Sequence, residues 1–416
     1  MKTYLVGGAV RDKLLNLPIK DRDWVVVGTT PDQMLTLDFQ QVGKDFPVFL
    51  HPKTHEEYAL ARTERKQGSG YTGFVCHSGL DVKLEDDLQR RDLTINAIAE
   101  DDQGNLYDPF NGQSDLNNRI LRHVSDAFSE DPLRVLRVAR FLARYAHLGF
   151  QIADETLALM RQITDSGELK HLTPERVWQE TERALLENSP LAFFTALREC
   201  NALSVLFPEL EALFGVPQTE RYHPEIDTGI HTFMALEKAI ELSKELKPED
   251  ALAVRFAVLL HDLGKALTPV FELPAHHGHE ALSEHLAKKV CAQYKVPNPV
   301  KRLTLLVAKL HTHCHKAFEL KPATAMRLFE SLDVVRRPET LGLFLIACEA
   351  DARGRKNLEE NPYPQADYLK DAYEELSKVE PKNLINLGFR GEALGQELRK
   401  KRIDAIRAVK KHYVSA

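Results

Sequence analysis

Cysteine is scarce and unpatterned. Five occur in 416 residues, Cys76, Cys200, Cys291, Cys314 and Cys348, with no C-x-x-C spacing. That excludes a thiolate zinc or disulfide framework and predicts reduced thiols in a cytoplasmic protein. Long apolar runs are missing too. No segment approaches the roughly 20 residues of a membrane-spanning helix, and the first residues lack the charged-then-apolar pattern of a secretion signal, so no membrane partner is expected. Positive charge is not in excess. With 55 Lys and Arg against 61 Asp and Glu, the formal net charge is −6. A uniformly basic nucleic-acid coat is thereby excluded, and any RNA binding must use local positive faces. There is no internal repeat and no low-complexity tract.

What is present is length and a change of texture. A chain of 416 residues should divide into two to four domains with sizeable cores. Residues 1–125 mix turn residues with short apolar runs: Val25-Val26-Val27, Phe46-Pro47-Val48-Phe49-Leu50 and Glu57-Tyr58-Ala59-Leu60-Ala61. Such a mixture suggests a head built on a small sheet. From Asp131 onward apolar residues recur with helical period. Thr173-Pro174-Glu175 reads as a helix start, with Thr as N-cap and Pro in the first turn. Pro208, Pro217 and Pro224 cluster around a boundary near residue 220. The expected fold class is α+β: a head at 1–125, a helical neck and body at 126–222, another helical domain at 223–330 and a helical tail at 331–416. Gly68 to Gly73 reads as a loop in the head.

The most informative segment is Gly7-Gly8-Ala9-Val10-Arg11-Asp12 followed by Asp21-Arg22-Asp23. Trp24-Val25-Val26-Val27 reads as a strand, and alternation along it would aim both carboxylates the same way, with Cα atoms roughly 6.5 Å apart. Oxygens so placed can converge on one or two hard cations. Tyr4-Leu5-Val6 reads as a strand and Val10 to Leu17 as a helix, so Gly7-Gly8 would form a turn whose amides cradle phosphate. Arg11 would contact that phosphate. Solvated strand ends and a plain tight turn would use the same residues.

Two further segments carry the same theme. In Arg90-Arg91-Asp92-Leu93-Thr94-Ile95-Asn96-Ala97, a helix would put Asp92 and Asn96 on one face with Arg91 beside them. Arg91 would then hold triphosphate, while the alternative is surface ion pairs of little worth. In Glu130-Asp131-Pro132-Leu133-Arg134-Val135-Leu136-Arg137-Val138-Ala139-Arg140, Asp131, Arg134, Arg137 and Arg140 recur at i,i+3 and would form a polar stripe. Arginine only donates and an ionised aspartate only accepts. Cytosine and adenine both present a ring-nitrogen acceptor beside an amine donor, and uracil and guanine the reverse. An Asp–Arg pair could therefore select C and A without a template.

In this order, Gly7-Gly8-x-Val10-Arg11-Asp12, Asp21-x-Asp23, Arg90-Arg91-Asp92-x-x-x-Asn96-Ala97 and Glu130-Asp131-x-x-Arg134 resemble the class II tRNA nucleotidyltransferase/poly(A) polymerase family of the polymerase β superfamily. The resemblance covers about the first 150 residues. It implies a polymerase-β-like head and addition or repair of the 3′-terminal CCA of tRNA from CTP and ATP. Asp21 and Asp23 would bind Mg²⁺ and carry catalysis. Gly8, Arg11 and Arg91 would contact the nucleotide, Asp131 and Arg134 would read its base, and Arg137 and Arg140 would add contacts. No third metal carboxylate is assignable.

Downstream, His261-Asp262 closes Ala257-Val258-Leu259-Leu260 and precedes Leu263-Gly264-Lys265, with His231 upstream. These resemble the HD superfamily of metal-dependent phosphohydrolases. The likeness implies a divalent transition metal, nickel being favoured, on His231, His261 and Asp262, with His311 and Asp351 as further ligands. His276, His277, His279, His313 and His315 form weaker clusters. The implied activity is hydrolysis of phosphomonoesters or 2′,3′-cyclic phosphates, including 2′-nucleotidase action. Arg399-Lys400-Lys401-Arg402, Arg407, Lys410 and Lys411 would form a basic helix, either tracking tRNA phosphates or simply solvated. The expected partner is the tRNA acceptor arm, bound by a monomer or weak homo-oligomer. Rival readings are a poly(A) polymerase, an HD hydrolase with a degenerate head, and a non-catalytic RNA-binding module.

Overall fold

The computed structural model describes residues 1–42, 48–66, 74–221 and 223–414. The expected loop Gly68 to Gly73, and the first two residues of the run Phe46 to Leu50, lie outside them. The chain forms two compact units, Met1–Leu206 and Phe207–Ala416.

In the first unit the strands are β1 (Lys2–Val6), β2 (Asp23–Val27), β3 (Gln40–Val42), β4 (Val48–Leu50), β5 (Glu57–Leu60), β6 (Thr63–Lys66), β7 (Phe74–His77), β8 (Ala99–Glu100), β9 (Leu106–Tyr107), β10 (Ile120–Leu121) and β11 (Gln151–Ile152). Seven form one sheet in the order β3-β4-β5-β2-β1-β8-β9, and β6–β7 and β10–β11 pair separately. Only β2–β5 is parallel within the large sheet. Successive residues of a strand point to opposite faces, so Val25 and Val26 feed two different cores. Val25 joins Tyr4, Val6 and Leu88 on one face, and Val26 joins Met34, Phe49 and Leu60 on the other. The sheet is therefore covered on both sides, with Val25 and Val26 both about 1% exposed.

The helices of this unit are α1 (Gly8–Leu14), α2 (Pro31–Thr36), α3 (Leu84–Gln89), α4 (Gly112–Asn118), α5 (Leu133–Tyr145), α6 (Asp154–Asp165), α7 (Pro174–Leu185), α8 (Pro190–Glu199) and α9 (Ala202–Leu206). The expected helix from Val10 to Leu17 begins two residues earlier and ends three earlier. Thr173 is the N-cap of α7 and Pro174 its first residue, although the Thr173 side chain makes no capping bond. Helix α5 buries Val135, Leu136, Val138 and Ala139 against α7 and α8.

The second unit is helical: α10 (Pro208–Glu211), α11 (Thr228–Leu242), α12 (Pro248–Leu260), α13 (His279–Gln293), α14 (Asn298–His315), α15 (Pro322–Leu332), α16 (Glu339–Arg353), α17 (Pro364–Ser377), α18 (Pro381–Asn386) and α19 (Gly391–Val414). Every residue of α12 from Ala251 to Leu260 is buried, the mark of a helix packed all round. Its neighbours α11, α14 and α16 enclose it, while α15, α17 and α19 pack together at the C-terminal end. No helix among the described residues is long and apolar enough to cross a membrane.

Candidate active sites

Strand register assembles the first site. Val6, the last residue of β1, pairs with Asp23 on one side and with Ala99 on the other. The glycine turn after β1, the acidic pair entering β2 and the Asp92–Asn96 segment before β8 are thus brought to one end of the sheet. Gly7 has φ +67, a left-handed conformation that favours glycine, and a Cβ there would lie 2.9 Å from Arg91 Nη1. The turn exists to let that guanidinium lie over the backbone.

Asp21 precedes β2 and only Asp23 belongs to it, so strand alternation does not by itself align the two carboxylates. They are nonetheless electrostatically coupled. The Asp23 carboxyl is raised above its ordinary value, first by desolvation and then by the charge of Asp21, with Arg91 opposing. A cation between them would relieve that repulsion, and paired carboxylates are hard oxygen donors suited to Mg²⁺. No third His, Cys, Asp or Glu joins them within ligating span among the described residues.

The Arg91 side chain donates to Asp87 Oδ2 at 3.2 Å and to the Asn96 carbonyl at 3.4 Å, and its Nε is buried without a hydrogen bond. Arg11, expected to contact the nucleotide, is engaged within the protein. It is 3% exposed, donates from Nε to Asp12 Oδ1 at 2.9 Å and from Nη1 to Asn96 Oδ1 at 2.5 Å, and lies over the Phe141 and Tyr145 rings. Gly8 opens α1, with its Cβ position 3.4 Å from Arg11 Nη2.

The expected helix through Asp92 is not formed. Helix α3 stops at Gln89, and only Thr94–Asn96 makes a short 3₁₀ turn. Asn96 still meets Asp92, donating from Nδ2 to Oδ1 at 2.8 Å. Arg137 donates to Asp92 Oδ2 from Nε at 2.8 Å and Nη2 at 2.6 Å. Burial alone would raise the Asp92 carboxyl, but Arg137, Asn96 and Arg134 outweigh it and hold it well below the usual carboxylate range.

The expected polar stripe on α5 is split. Asp131 and Pro132 lie outside the helix, and Asp131 is gripped by Arg176 of α7, whose Nη2 approaches its two oxygens at 3.3 and 2.9 Å. The Arg134 side chain donates to the carbonyls of Ala127 at 2.9 Å and Arg90 at 2.5 Å, and its backbone N–H donates to the Asp131 carbonyl at 3.0 Å. Arg140 turns away into the body, where its Nε reaches Glu180 Oε2 at 2.5 Å and both side chains are under a tenth exposed. A helix rotates about 100° per residue, so three-residue steps drift steadily around it and cannot hold four side chains on one face. Arg176 and Glu180 escaped sequence reasoning. Their i,i+4 spacing after the Thr173-Pro174 start was the available signal.

The second site is built around the C-terminal end of α12. His261 and Asp262 are at most 1% exposed, as is His231 on α11, and His311 on α14 and Asp351 on α16 are 3% exposed. All five expected ligands therefore come together. His231 Nε2 lies 3.0 Å from Asp351 Oδ1, and His261 Nε2 lies 3.1 Å from Asp262 Oδ2. Two members of the weaker clusters join them: His279 Nε2 is 3.3 Å from Asp262 Oδ1 and His315 Nε2 is 2.6 Å from Asp351 Oδ2. His276 instead bonds Thr268 and the Pro217 carbonyl. Gly264 permits the approach of His279, since a Cβ there would lie 2.2 Å from the His279 carbonyl.

His261 Nε2 and Asp262 Oδ1 are buried with no hydrogen bond, while Asp262 Oδ2 is paired with Lys265 Nζ at 2.6 Å. Burial disfavours charge on His261, yet Asp262 and Asp351 outweigh it and push its pKa up to about 10. Orphaned buried donors among imidazoles and carboxylates are what a divalent transition metal would satisfy. The residues fit such an ion.

The basic C-terminal segment is a single helix, α19. Part of its charge is engaged within its own unit: Arg399 pairs with Glu330 and Lys410 donates to the Leu320 carbonyl.

Comparison with known proteins agrees with this architecture. Residues 3–122 match the family described as Poly A polymerase head domain, 149–214 match the probable RNA and SrmB-binding site of polymerase A, and 228–353 match the HD domain. Among solved structures, a Thermotoga maritima CCA-adding enzyme complexed with tRNA aligns with TM-score 0.63 at 22% identity, covering 98% of this chain and 90% of that one. A CCA-adding enzyme with ATP aligns with TM-score 0.65 at 21% identity, covering 99% and 89%. These likenesses establish the fold. Two multifunctional CCA proteins are much nearer: those of Thioalkalivibrio sulfidiphilus and Hahella chejuensis are each 58% identical over 410 residues, 99% of this chain and 99% and 96% of theirs. At that identity over nearly the whole length, the chain belongs to the multifunctional CCA protein family.

Proposed function

We propose that this chain adds and repairs the 3′-terminal CCA of tRNA from CTP and ATP by Mg²⁺-dependent nucleotidyl transfer, and that its second unit is a phosphohydrolase using a divalent transition metal, nickel by preference. The observation that carries the first reading is the register of β1 between β2 and β8, which gathers glycine turn, paired carboxylates and Arg91 at one end of the sheet. The 58% relatives named for CCA favour this over poly(A) synthesis.

Asp21 and Asp23 would hold the ion. Bound there, Mg²⁺ lowers the pKa of the attacking 3′-hydroxyl and steadies the pyrophosphate leaving group. Arg91, lying over Gly7, neutralises the triphosphate. Gly8 lets the backbone approach it. Arg11 positions Asn96 and Asp12 instead of binding phosphate. Asp131, fixed by Arg176, accepts from the exocyclic amine of C or A, and Arg134, fixed by two carbonyls, donates to the ring nitrogen. Uracil and guanine would leave these groups unpaired, at a cost of about 1–3 kcal/mol each. Arg137 and Arg140 hold α5 in place. In the second unit, His231, His261, Asp262, His311 and Asp351 would hold the metal, and phosphomonoesters and 2′,3′-cyclic phosphates at RNA ends are the substrate class. The four cysteines with described side chains are free, which favours a reducing cytoplasm.

The test is to incubate tRNA lacking its end with labelled CTP, ATP and Mg²⁺ and sequence the product. A CCA end supports the reading, and a homopolymeric A tail refutes it. Asp21→Ala should abolish incorporation and leave phosphatase turnover, with His261→Ala doing the reverse. Loss of both activities in a folded His261→Ala protein would refute independent sites.

A further inference from the structure

Away from both candidate sites, the C-terminal end of the second unit encloses a cavity of about 280 Å³ between α15, α17 and α19. Its floor is apolar. Met326 and Phe329 of α15, Val334 just beyond that helix and Leu376 of α17 line it, each at most 4% exposed. Leu398 of α19 adds to the wall, and Val335, 59% exposed, stands at the rim. The volume lies at about the lower end of pockets that hold small organic molecules.

Glu330, Asp333, Arg399 and Arg402 also line the cavity, and three of these four charges have partners. Glu330 accepts from Arg399 at 2.7 and 3.3 Å, and Asp333 is paired with Arg336 at 2.9 Å. Arg402 is the one left over. Among the described residues it makes neither hydrogen bond nor ion pair, and its Nε is buried without a partner. Desolvation alone pulls its guanidinium below the ordinary value, with no carboxylate opposing it. Buried donors are normally satisfied, so the missing acceptor must come from what enters the cavity. Gly395 is an independent sign. Glycine inside a helix is unfavourable relative to alanine, which calls for a reason, yet a Cβ at Gly395 would meet no heavy atom within 4 Å. No packing contact requires the missing side chain; its absence keeps clear the cavity that Gly395 lines.

We propose that this cavity binds a small molecule with an apolar body and one anionic head group, carboxylate or phosphate. The floor takes the body, and Arg402 takes the head group through charge-assisted hydrogen bonds, for which a guanidinium fork is suited. Charge sets the class. With Glu330 and Asp333 matched by Arg399 and Arg336, the wall keeps one uncompensated positive charge. An anion answers it, a cation is repelled, and a neutral ligand leaves the buried Nε unsatisfied. The site is separate from both proposed activities and does not depend on them.

The experiment titrates the full chain with anilinonaphthalene sulfonate, a fluorescent aromatic anion, and follows its emission. Saturable binding is expected, displaced by octanoate and by octyl phosphate, the stronger competitor identifying the head group. Octanol, their neutral counterpart, should compete at least about tenfold more weakly, the worth of a charge-assisted hydrogen bond. Inorganic phosphate, which lacks the body, should not compete. Arg402→Gln should weaken the probe by about the same factor, and Gly395→Phe should abolish its binding by filling the cavity. Absence of saturable binding, or binding in either variant equal to wild type, would overturn the proposal, as would octanol competing as well as octanoate. Displacement by tRNA and by neither small anion would overturn it too, and give the cavity to the RNA. Thermal unfolding checks that each variant is folded. Should Arg402→Gln not fold, Gly395→Phe decides the matter, since its side chain starts from open space.

Discussion

Arg140 distinguishes a nucleotide contact from a structural strut, and the Glu180 pair allows the distinction to be measured. The two side chains are 9% and 5% exposed and 2.5 Å apart. Breaking a buried ion pair by removing one partner costs about 3–5 kcal/mol, because the survivor keeps its charge without compensation. Glu180→Met should fall near 3 kcal/mol, since Arg140 retains Glu187 at 3.8 Å and the Phe141 ring at 4.8 Å. Arg140→Met should fall nearer the top of that range, about 4–5 kcal/mol, because Glu180 then stays buried. Replacing both by Met should be milder than either single change, since apolar replacement of a buried pair is often neutral. For a unit of about 200 residues each kcal/mol shifts melting by roughly 2–4 °C, so the single variants should melt about 6–20 °C lower. The assay is thermal unfolding of the full chain, paired with kcat/KM for CTP at a temperature where every variant is folded. The reasoning fails if Arg140→Met melts like wild type yet loses CTP incorporation, or if the double variant is the least stable of the three.

Three other outcomes follow from the first site. Gly7→Ala should destabilise the protein by more than about 1 kcal/mol, since Gly7 has φ +67 and the new Cβ would press on Arg91 Nη1 at 2.9 Å; an unchanged melting temperature would show that the turn relaxes freely. Asp92→Asn should destabilise in a pH-dependent way. The folded carboxyl is depressed, so its stabilisation is complete above the unfolded value of about 3.9 and is lost as pH falls below it. The stability gap to wild type should be flat from pH 5 to 8 and shrink progressively as pH falls below about 4; a gap still at its neutral-pH size at pH 2 would refute the role of the ionised form. Arg176→Met should raise misincorporation of UTP and GTP about tenfold, the worth of one charge-assisted hydrogen bond of roughly 1.5 kcal/mol, as read by single-turnover incorporation; unaltered selectivity would mean Asp131 needs no anchor.

The elements most legible in the chain were those whose chemistry is local. Val25-Val26-Val27 gave a strand because a continuous apolar run suits a sheet covered on both faces, and His261-Asp262 stood out at the end of the apolar run Ala257-Val258-Leu259-Leu260. Less legible was whatever depended on partners far along the chain. The i,i+4 spacing of Asp92 and Asn96 suggested a helix, and the two do meet, but through a 3₁₀ turn. Arg176 lies 45 residues from Asp131, and nothing in local pattern announces such a pairing. His279 lacked distinction because a histidine on a helix is more often structural than a ligand. Only the close approach at Gly264 brings it beside Asp262.

Helix α5 ties the segment carrying Asp131 and Arg134 to the sheet end carrying Asp21 and Asp23. Arg137 and Arg144 are seven residues apart, and two helical turns return the second to within about 20° of the first. Both point into the head. Arg137 holds Asp92, while Arg144 and the neighbouring Tyr145 hydroxyl bond the two oxygens of Asp12 at 3.0 and 2.9 Å. Arg140, roughly 60° away around the helix, holds Glu180 in the body instead. The helix is therefore clamped between head and body by buried carboxylates on both sides, and the turn carrying Asp131 and Arg134 is the start of that clamped helix. Asp12 follows the glycine turn and Asp92 precedes β8, the same two segments whose strands flank or contain Val6 opposite Asp23. A displacement of α5 must strain both carboxylate grips before it moves Asp131 and Arg134 relative to Asp21 and Asp23. On the proposed reading, selection of C or A would in this way be referred to the frame that holds Asp21 and Asp23.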